Sequence, residues 1–450
     1  MPTDAVILAA GHGTRMRSQL PKMLHPLLGR PMVQWVVDAC SQATGRPLTM
    51  IVGPDADQLR SGIRGDIHYV VQKERLGTGH AVQQAADHLR DSELVLVVNG
   101  DLALVLESSL SDLIATQTDH DGPFSLISVR SDAARGFGRL IRDQDGRVQR
   151  ILEAAHASPE QLAIDELNVG VYCFRGEWLW SKLPGLEVSP KGEYYLTDLV
   201  ELASADGESI AVLEIDDINQ AIGINTRVHL AEAEVELRMR INHKWMLAGV
   251  SMQDPSSTFV GPDVELAMDV TLMANTHLEG VTKIGEGSRI GPNTVVRDSV
   301  IGESCKLEAS VIEGAELEDR VEVGPFSHLR PGTYLEDGVH IGNYGEIKNS
   351  HLGQGAKMGH FSYLGDATVG KEVNIGAGTI TCNYDGEHKH PTEIGDGAFI
   401  GSDTMLVAPV KIGRGARTGA GAVVTKDVPD GTVAVGIPAR VIRRLKLDNE

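Results

Sequence analysis

The sequence predicts an α/β domain joined by one long helix to an all-β solenoid, and three observations carry that prediction. Short β-rich runs alternate with longer amphipathic stretches up to about residue 226. From Arg227 to about Met246 the chain has neither Gly nor Pro and sets Leu230, Val235, Leu237 and Ile241 among charges, which reads as one helix ended at Gly249. Beyond it an aliphatic residue followed by a turn residue recurs every six positions, a period that fits neither a helix nor a simple strand.

The clearest strands of the first part are Ala5–Ala10, Leu48–Gly53, Ile67–Val71, Leu94–Val98 and Phe124–Val129. Strands alternating with helices predict a mostly parallel sheet covered on both faces, whose ligands gather at the strands' carboxyl ends. Gly11 and Asp101 fall at such ends. In the last part the repeat is read from about Ile284, through Ile290, Ile341, Met358, Leu364, Ile375, Ile394, Ile400 and Ile412 to Thr418, each aliphatic pointing into a coil. The register breaks over Thr381–Glu393, where a polar loop from Cys382 to His390 bulges out, and such insertions often carry function.

Length and composition bound the rest. A chain of 450 residues exceeds what one core usually serves, and the divisions expected are 1–226, a linker helix over 227–250, and 251–450. Gly numbers 50, aromatics make up 4%, and no Trp follows Trp245, which suits a narrow second-half interior of small and aliphatic side chains. A formal charge of −21 argues against nucleic acid or an anionic membrane as the main partner, although a few placed cations can still bind small phosphorylated molecules. Cys40, Cys173, Cys305 and Cys382 lack metal-site spacing and read as free thiols of a cytoplasmic protein. No apolar run approaches the roughly 18 residues needed to span a bilayer.

The first chemical constellation is Leu8-Ala9-Ala10-Gly11-His12-Gly13-Thr14-Arg15-Met16 with Pro21-Lys22. Glycines let backbone N–H groups approach phosphate oxygens, and the cations offset charge. Taken singly these residues leave other readings open: the loop as a structural turn, Lys22 as a solvated lysine, Asp101 as a helix cap, Asn225 as a turn residue. The full string is more specific. With Gln72, Leu76-Gly77-Thr78-Gly79-His80-Ala81, Asn99-Gly100-Asp101, Gly136-Phe137-Gly138-Arg139, Glu153, Asn168, Gly192 to Asp198 and Gly223-Ile224-Asn225, it resembles the sugar-nucleotidyltransferase family over residues 5–226.

Almost end to end, the chain is similar to the bacterial bifunctional N-acetylglucosamine-1-phosphate uridylyltransferase/glucosamine-1-phosphate N-acetyltransferase family. The resemblance implies a Rossmann-like nucleotidyltransferase domain followed by a left-handed parallel β-helix. It implies that Leu8, Ala9 and Ala10 belong to the site for UTP and UDP-N-acetylglucosamine, that Gly11, Gln72, Gly77 and Thr78 meet the uridine, that Arg15 and Lys22 meet the triphosphate, and that Gly138, Glu153 and Asn168 hold N-acetylglucosamine. Asp101 and Asn225 would hold Mg²⁺, which favours one or two protein oxygens plus waters and phosphates. Two departures touch this half: Ala103 stands where the family usually has Pro, and Val169 where a small hydroxyl residue is usual.

A repeat scaffold alone supports an assembly or regulatory role as well as catalysis. Here Ser327 to Gly332, Glu346-Ile347-Lys348, Gly359 to Asp366, Asn374 to Gly378 and Thr381 to Gly386 resemble the acetyltransferase half of the same family. An amine attacking a thioester must lose a proton, and His suits that task near neutrality, so His360 is the candidate general base; a lone His can equally be an exposed turn residue. The resemblance further implies that Arg330, Lys348 and Lys389 bind the phosphate of glucosamine 1-phosphate, with Tyr363, Asn374 and Asn383 on the sugar. Ala377, Asn383, Tyr384, Ser402 and Ala420 would line the acetyl-CoA groove. The relatives commonly place a CoA-binding Arg where Ile437 stands; Arg440, with Arg443, is the expected replacement, against the alternative of a solvated basic tail. The family forms trimers, which implies a homotrimer whose acetyl sites draw on neighbouring subunits. Two rival readings, a monofunctional nucleotidyltransferase with a structural or regulatory solenoid and a non-catalytic assembly factor, are disfavoured by His360, Lys348 and Asn383 occurring together and by the presence of Lys22, Asp101 and Asn225.

Overall fold

The computed structural model describes residues 1–445 apart from 55, 133–135, 154–156 and 191. Packing divides it into two compact units, Met1–Leu237 and Arg238 onward. The division falls inside a single helix, Arg227–Leu247.

The first unit is built on a sheet whose main path runs Ala211–Ile215, Phe124–Arg130, Glu166–Arg175, Leu94–Asn99, Thr3–Ala9, Leu48–Val52, Ile67–Val71. All neighbours pair in parallel except Glu166–Arg175, which runs antiparallel to both of its flanking strands. Period-two alternation sends successive side chains to opposite faces. Ala5, Ile7 and Ala9 accordingly join one core cluster, with Met50, Leu96 and Val98. Val6 joins the other, with Ile51, Val95 and Val97. Both faces are therefore covered, which is why the central strands read as continuous apolar runs. The five strands expected from the sequence all form, within two residues at each end.

The second unit is a left-handed parallel β-helix of three sheets in which each strand pairs with the third one after it, until Arg417–Thr418 pairs with Thr432–Val435 and the last strand, Arg440–Arg444, runs back antiparallel. Strands are only two to five residues long, and each coil contributes one inward residue per face. One such column is Leu278, Val296, Ile312, Leu329, Ile347 and Leu364, in register and fully buried. Stacked backbones approach so closely that a Cβ on Gly342 would collide with the Gly359 carbonyl, which explains the glycine after many inward aliphatics.

Two features correct the sequence reading. Coils begin at Ser251–Met252, which pairs with Thr271–Leu272, well before Ile284. The inward positions Val260, Leu266, Leu272 and Leu278 already keep the spacing of six, but mostly without the following Gly that marked the repeat. Nor is the period strict. From Val296 to Ile301 and from Leu364 to Val369 the step is one residue shorter, and a left-handed residue two places along, Asp298 (φ 48) or Asp366 (φ 50), tightens the corner.

Candidate active sites

At the carboxyl ends of Thr3–Ala9 and Leu94–Asn99 two adjoining cavities open, of about 580 and 370 Å³. They share Leu8, Thr78, Asn99, Asp101 and Tyr195, so they meet at Asp101.

The larger cavity is walled by the glycine loop. Gly13 is left-handed at φ 64, and a Cβ there would run into the Lys22 side chain, so the loop folds down on that lysine. Lys22 is 8% exposed, and its Nζ donates to Asp101 Oδ2 at 2.6 Å and to Asn225 Oδ1 at 2.7 Å. Arg15 donates to the same Asn225 oxygen at 2.8 Å. Arg227 Nε, at the start of the long helix, donates to the Met16 carbonyl at 3.3 Å and ties the loop to the Asn225 segment. Lys22, Arg15, Asp101 and Asn225 are thus brought together across 210 residues of sequence. Leu8, Ala10 and Gly11 line this cavity; the side chain of Ala9 turns instead into the core.

At its far end Gln72, 3% exposed, donates from Nε2 to the Gly77 carbonyl at 3.1 Å and lies 3.0 Å from His80 Nδ1. Gly77 has φ 101, and a Cβ on it would meet the Tyr194 carbonyl at 2.5 Å. Leu196 N–H donates to Thr78 Oγ1 at 3.0 Å, lacing the Gly192–Asp198 motif to this turn.

The smaller cavity holds Gly138, Glu153 and Asn168. Asn168 Nδ2 donates to the Tyr172 hydroxyl at 2.8 Å, and burial pushes that phenol's pKa up. Asp198, beside this cavity, is raised to about 6 by burial, with Glu201 and Glu153 adding repulsion. Both departures are accommodated: Ala103 is buried at 4% exposure, and Val169 lines the wall. Tyr195, which lines both cavities, was quoted in the sequence motif but given no role there.

On the β-helix two groups emerge. The register Met358, Ile375, Ile400, then Phe399 with Arg417, carries His360, Ala377, Ser402 and Ala420 into one column, a residue per coil, along one edge. Thr418 pairs with Ala434, so Gly436 continues the column; Val435 pairs with Arg440 on the terminal strand Arg440–Arg444, which puts Arg440 at its end.

The second group lies at the other end of the face formed by Gly345–Lys348 and Ser362–Gly365. Lys348 is held below the ordinary lysine range, first by Lys389 and then by Arg330, so three cations crowd one spot. Arg330 is anchored to Glu346 at 2.9 Å. The Asp366 corner accepts from Asn349 Nδ2 and from Asn383 Nδ2, both at 2.6 Å. Burial works to raise the Asp366 carboxyl, but these bonds, with Lys389 and Lys348, bring it below the usual range. A Cβ on Gly365 would fall 2.8 Å from Asn383 Nδ2 and would strike the Tyr363 hydroxyl, so Tyr363 belongs to this group. The Cys382–His390 loop closes by a Tyr384–Lys389 bridge and by Asp385, which accepts from His390 at 2.6 Å.

The chain does not bring every acetyl-site candidate together. Asn374 pairs with Lys357 and Phe399 on a different face from Tyr363. His360 precedes the strand Ser362–Gly365, whereas Gly365, the residue opposite Lys348, is at its far end, at most about 17 Å away.

Fold and sites define the class: a nucleotidyltransferase unit followed by a hexapeptide-repeat acyltransferase. The MobA-like NTP transferase domain family matches residues 5–164, and the bacterial transferase hexapeptide family (six repeats) matches 391–426. "Bifunctional protein GlmU" of Pelobacter propionicus is 43% identical over 444 residues, covering 98% of this chain and 96% of the relative. The proteins of that name from Syntrophomonas wolfei (43% identity, 97% of each chain) and Fervidobacterium nodosum (45%, 97% of this chain and 95% of the relative) match equally widely. The chain belongs to the GlmU family of bifunctional enzymes. It is a uridylyltransferase and an acetyltransferase of UDP-N-acetylglucosamine synthesis, working on nucleotide-sugar substrates with an acyl-CoA donor. Among the described residues no helix is long and apolar enough to cross a membrane.

Proposed function

We propose that residues 1–226 perform uridylyl transfer in the strand-end cleft and residues 251–450 perform acetyl transfer along the β-helix, with 227–250 as the linker. The observation that carries the first assignment is the convergence of Asp101 and Asn225 oxygens on one cation, the Lys22 ammonium.

UTP occupies the larger cavity, its uridine at Gly11, Gln72, Gly77 and Thr78 and its phosphates against Arg15 and Lys22. N-acetylglucosamine 1-phosphate occupies the smaller one, against Gly138, Glu153 and Asn168. A phosphate oxygen of the sugar attacks the α-phosphorus where the cavities meet, the bond to the β-phosphate oxygen breaks, and pyrophosphate leaves. The protein contributes in-line positioning and charge. Two oxygens already converging on a cation, with room for phosphates and water, suit Mg²⁺ held by Asp101 and Asn225. Bound there, Mg²⁺ would offset phosphate charge. Lys22 is then free to exchange Asp101 for a phosphate oxygen.

In the acetyl half, Arg330, Lys348 and Lys389 hold the phosphate of glucosamine 1-phosphate, with Tyr363, Asn374 and Asn383 at the sugar. Acetyl-CoA lies along the Ala377–Ser402–Ala420 column beside Tyr384 and Asn383, its phosphates reaching Arg440. His360 takes the amine proton, nitrogen bonds to the acetyl carbon, and the carbon–sulfur bond breaks to release CoA thiolate. The gap between His360 and the cations, and the separate face of Asn374, support a homotrimer in which neighbouring chains complete each site. Four free cysteines, three of them buried, support a cytoplasmic protein. The test is an assay with defined sugar phosphates that follows thiol release and pyrophosphate release separately. Thiol release is expected only with glucosamine 1-phosphate and pyrophosphate release only with its N-acetyl form, each requiring its own co-substrate.

A further inference from the structure

The larger cavity contains one cation that the motifs do not include. Arg75, half-buried, donates from Nε to the Ala10 carbonyl at 2.6 Å and sets Nη1 3.0 Å from His12 Nε2. It therefore lies across the glycine loop and lines the cavity with Arg15 and Lys22. Space for it is built in, because any side chain on Gly53, at the end of Leu48–Val52, would collide with the guanidinium.

Its partners are what distinguish it. Lys22 faces Asp101 and Asn225, and Arg15 faces Asn225. No carboxylate pairs with Arg75 among the described residues; its contacts are a carbonyl and an imidazole, which leave guanidinium N–H donors and a full positive charge. A half-buried, uncompensated guanidinium in a substrate cavity is a site prepared for an anion, since Arg forks match phosphate oxygens. A triphosphate brings more negative charge than Lys22 and Arg15, already facing Asp101 and Asn225, offset.

We infer that Arg75 is a further phosphate ligand of the uridylyl site, binding the triphosphate tail of UTP and the pyrophosphate it becomes while pinning the glycine loop at Ala10 and His12. The inference rests on the assignment of this cavity to UTP. Arg75 holds the part of the substrate that leaves, so its effect belongs to UTP in the forward reaction and to pyrophosphate in the reverse.

The experiment measures uridylyl transfer in both directions on the full chain, with Arg75→Gln, Arg75→Lys and Lys22→Ala. Arg75→Gln is expected to raise KM for UTP and for pyrophosphate about tenfold, the scale of one charge-assisted hydrogen bond, with KM for the sugar phosphate unchanged and kcat within about threefold. Arg75→Lys keeps the charge and loses the fork, and should recover part of the pyrophosphate affinity. An unchanged KM for pyrophosphate in Arg75→Gln overturns the inference. So does a kcat collapse with equal rises in KM for both substrates, which is the signature of a loop brace alone. Should Arg75→Gln not fold, judged by circular dichroism and a lost cooperative unfolding transition of the first unit, the pyrophosphate KM of Arg75→Lys decides by the same criterion. Unimpaired uridylyl transfer by Lys22→Ala would instead remove the cavity assignment, whereas an impaired Lys22→Ala beside a normal Arg75→Gln removes only the role of Arg75.

Discussion

The two units build sites by opposite means. In the first, residues far apart in sequence meet within one chain because parallel strands end together: Lys22, Asp101 and Asn225 share contacts under 3 Å. In the second, near-identical coils repeat one position along an edge, so His360, Ala377, Ser402 and Ala420 align but do not converge. A doubly wound sheet makes a concave end where loops face one another. A prism of short strands has only flat faces and edges, so its groups stand in rows along them, apart from the cluster at the Asp366 corner.

The largest test of that contrast is reciprocal loss. Asp101→Ala is expected to abolish pyrophosphate release and spare thiol release, while His360→Ala lowers thiol release at least about a hundredfold and spares uridylyl transfer from ready-made N-acetylglucosamine 1-phosphate. A well-folded Asp101→Ala enzyme with normal uridylyl transfer, or normal thiol release without His360, would break the respective assignment.

Mixing sharpens it next. Chains carrying His360→Ala, co-assembled with chains carrying Lys348→Ala, should regain acetyl transfer well above either parent, because an intact His360 and an intact Lys348 can meet across a chain boundary. Asp101→Ala mixed with Lys22→Ala should regain no uridylyl transfer. Recovery in the second mixture, or none in the first, reverses the comparison.

Packing gives a third contrast. Leu364 is fully buried in the β-helix core, in register with Ile347, so Leu364→Ala should cost about 2–5 kcal/mol of β-helix stability in denaturant unfolding while uridylyl transfer persists. Equal loss of both activities at a denaturant concentration that spares the parent would show the units to unfold as one.

Smaller effects follow at the margins. Arg440→Ala should raise KM for acetyl-CoA several-fold with a lesser change in kcat, measured at low salt; an unaltered KM leaves Arg440 as a solvated tail residue. Asp198 has its folded-state pKa raised to about 6, so its contribution to stability is full below the ordinary Asp range and is lost as pH rises through that value. Asp198→Asn should therefore raise Tm by a few degrees relative to the parent at pH 7.5 and by nothing near pH 4. An equal difference at both values would assign the effect to packing.

Legibility in the sequence follows the same divide. Strand periodicity, the Gly- and Pro-free helix and the spacing of six report local geometry, which side chains set through their own turn and burial preferences, so the fold class and most motif positions could be read directly. The early coils escaped because Leu266, Leu272 and Leu278 lack the following Gly, although they too are buried. Tertiary structure alone decided which groups meet. It seated the Lys22 ammonium between Asp101 and Asn225, set Asn374 on a face away from Tyr363, and laid Arg75 across the glycine loop. Sequence spacing constrains neighbours along a strand or coil, whereas electrostatic partners are chosen by strand order and coil register, which bring together residues that no periodicity relates.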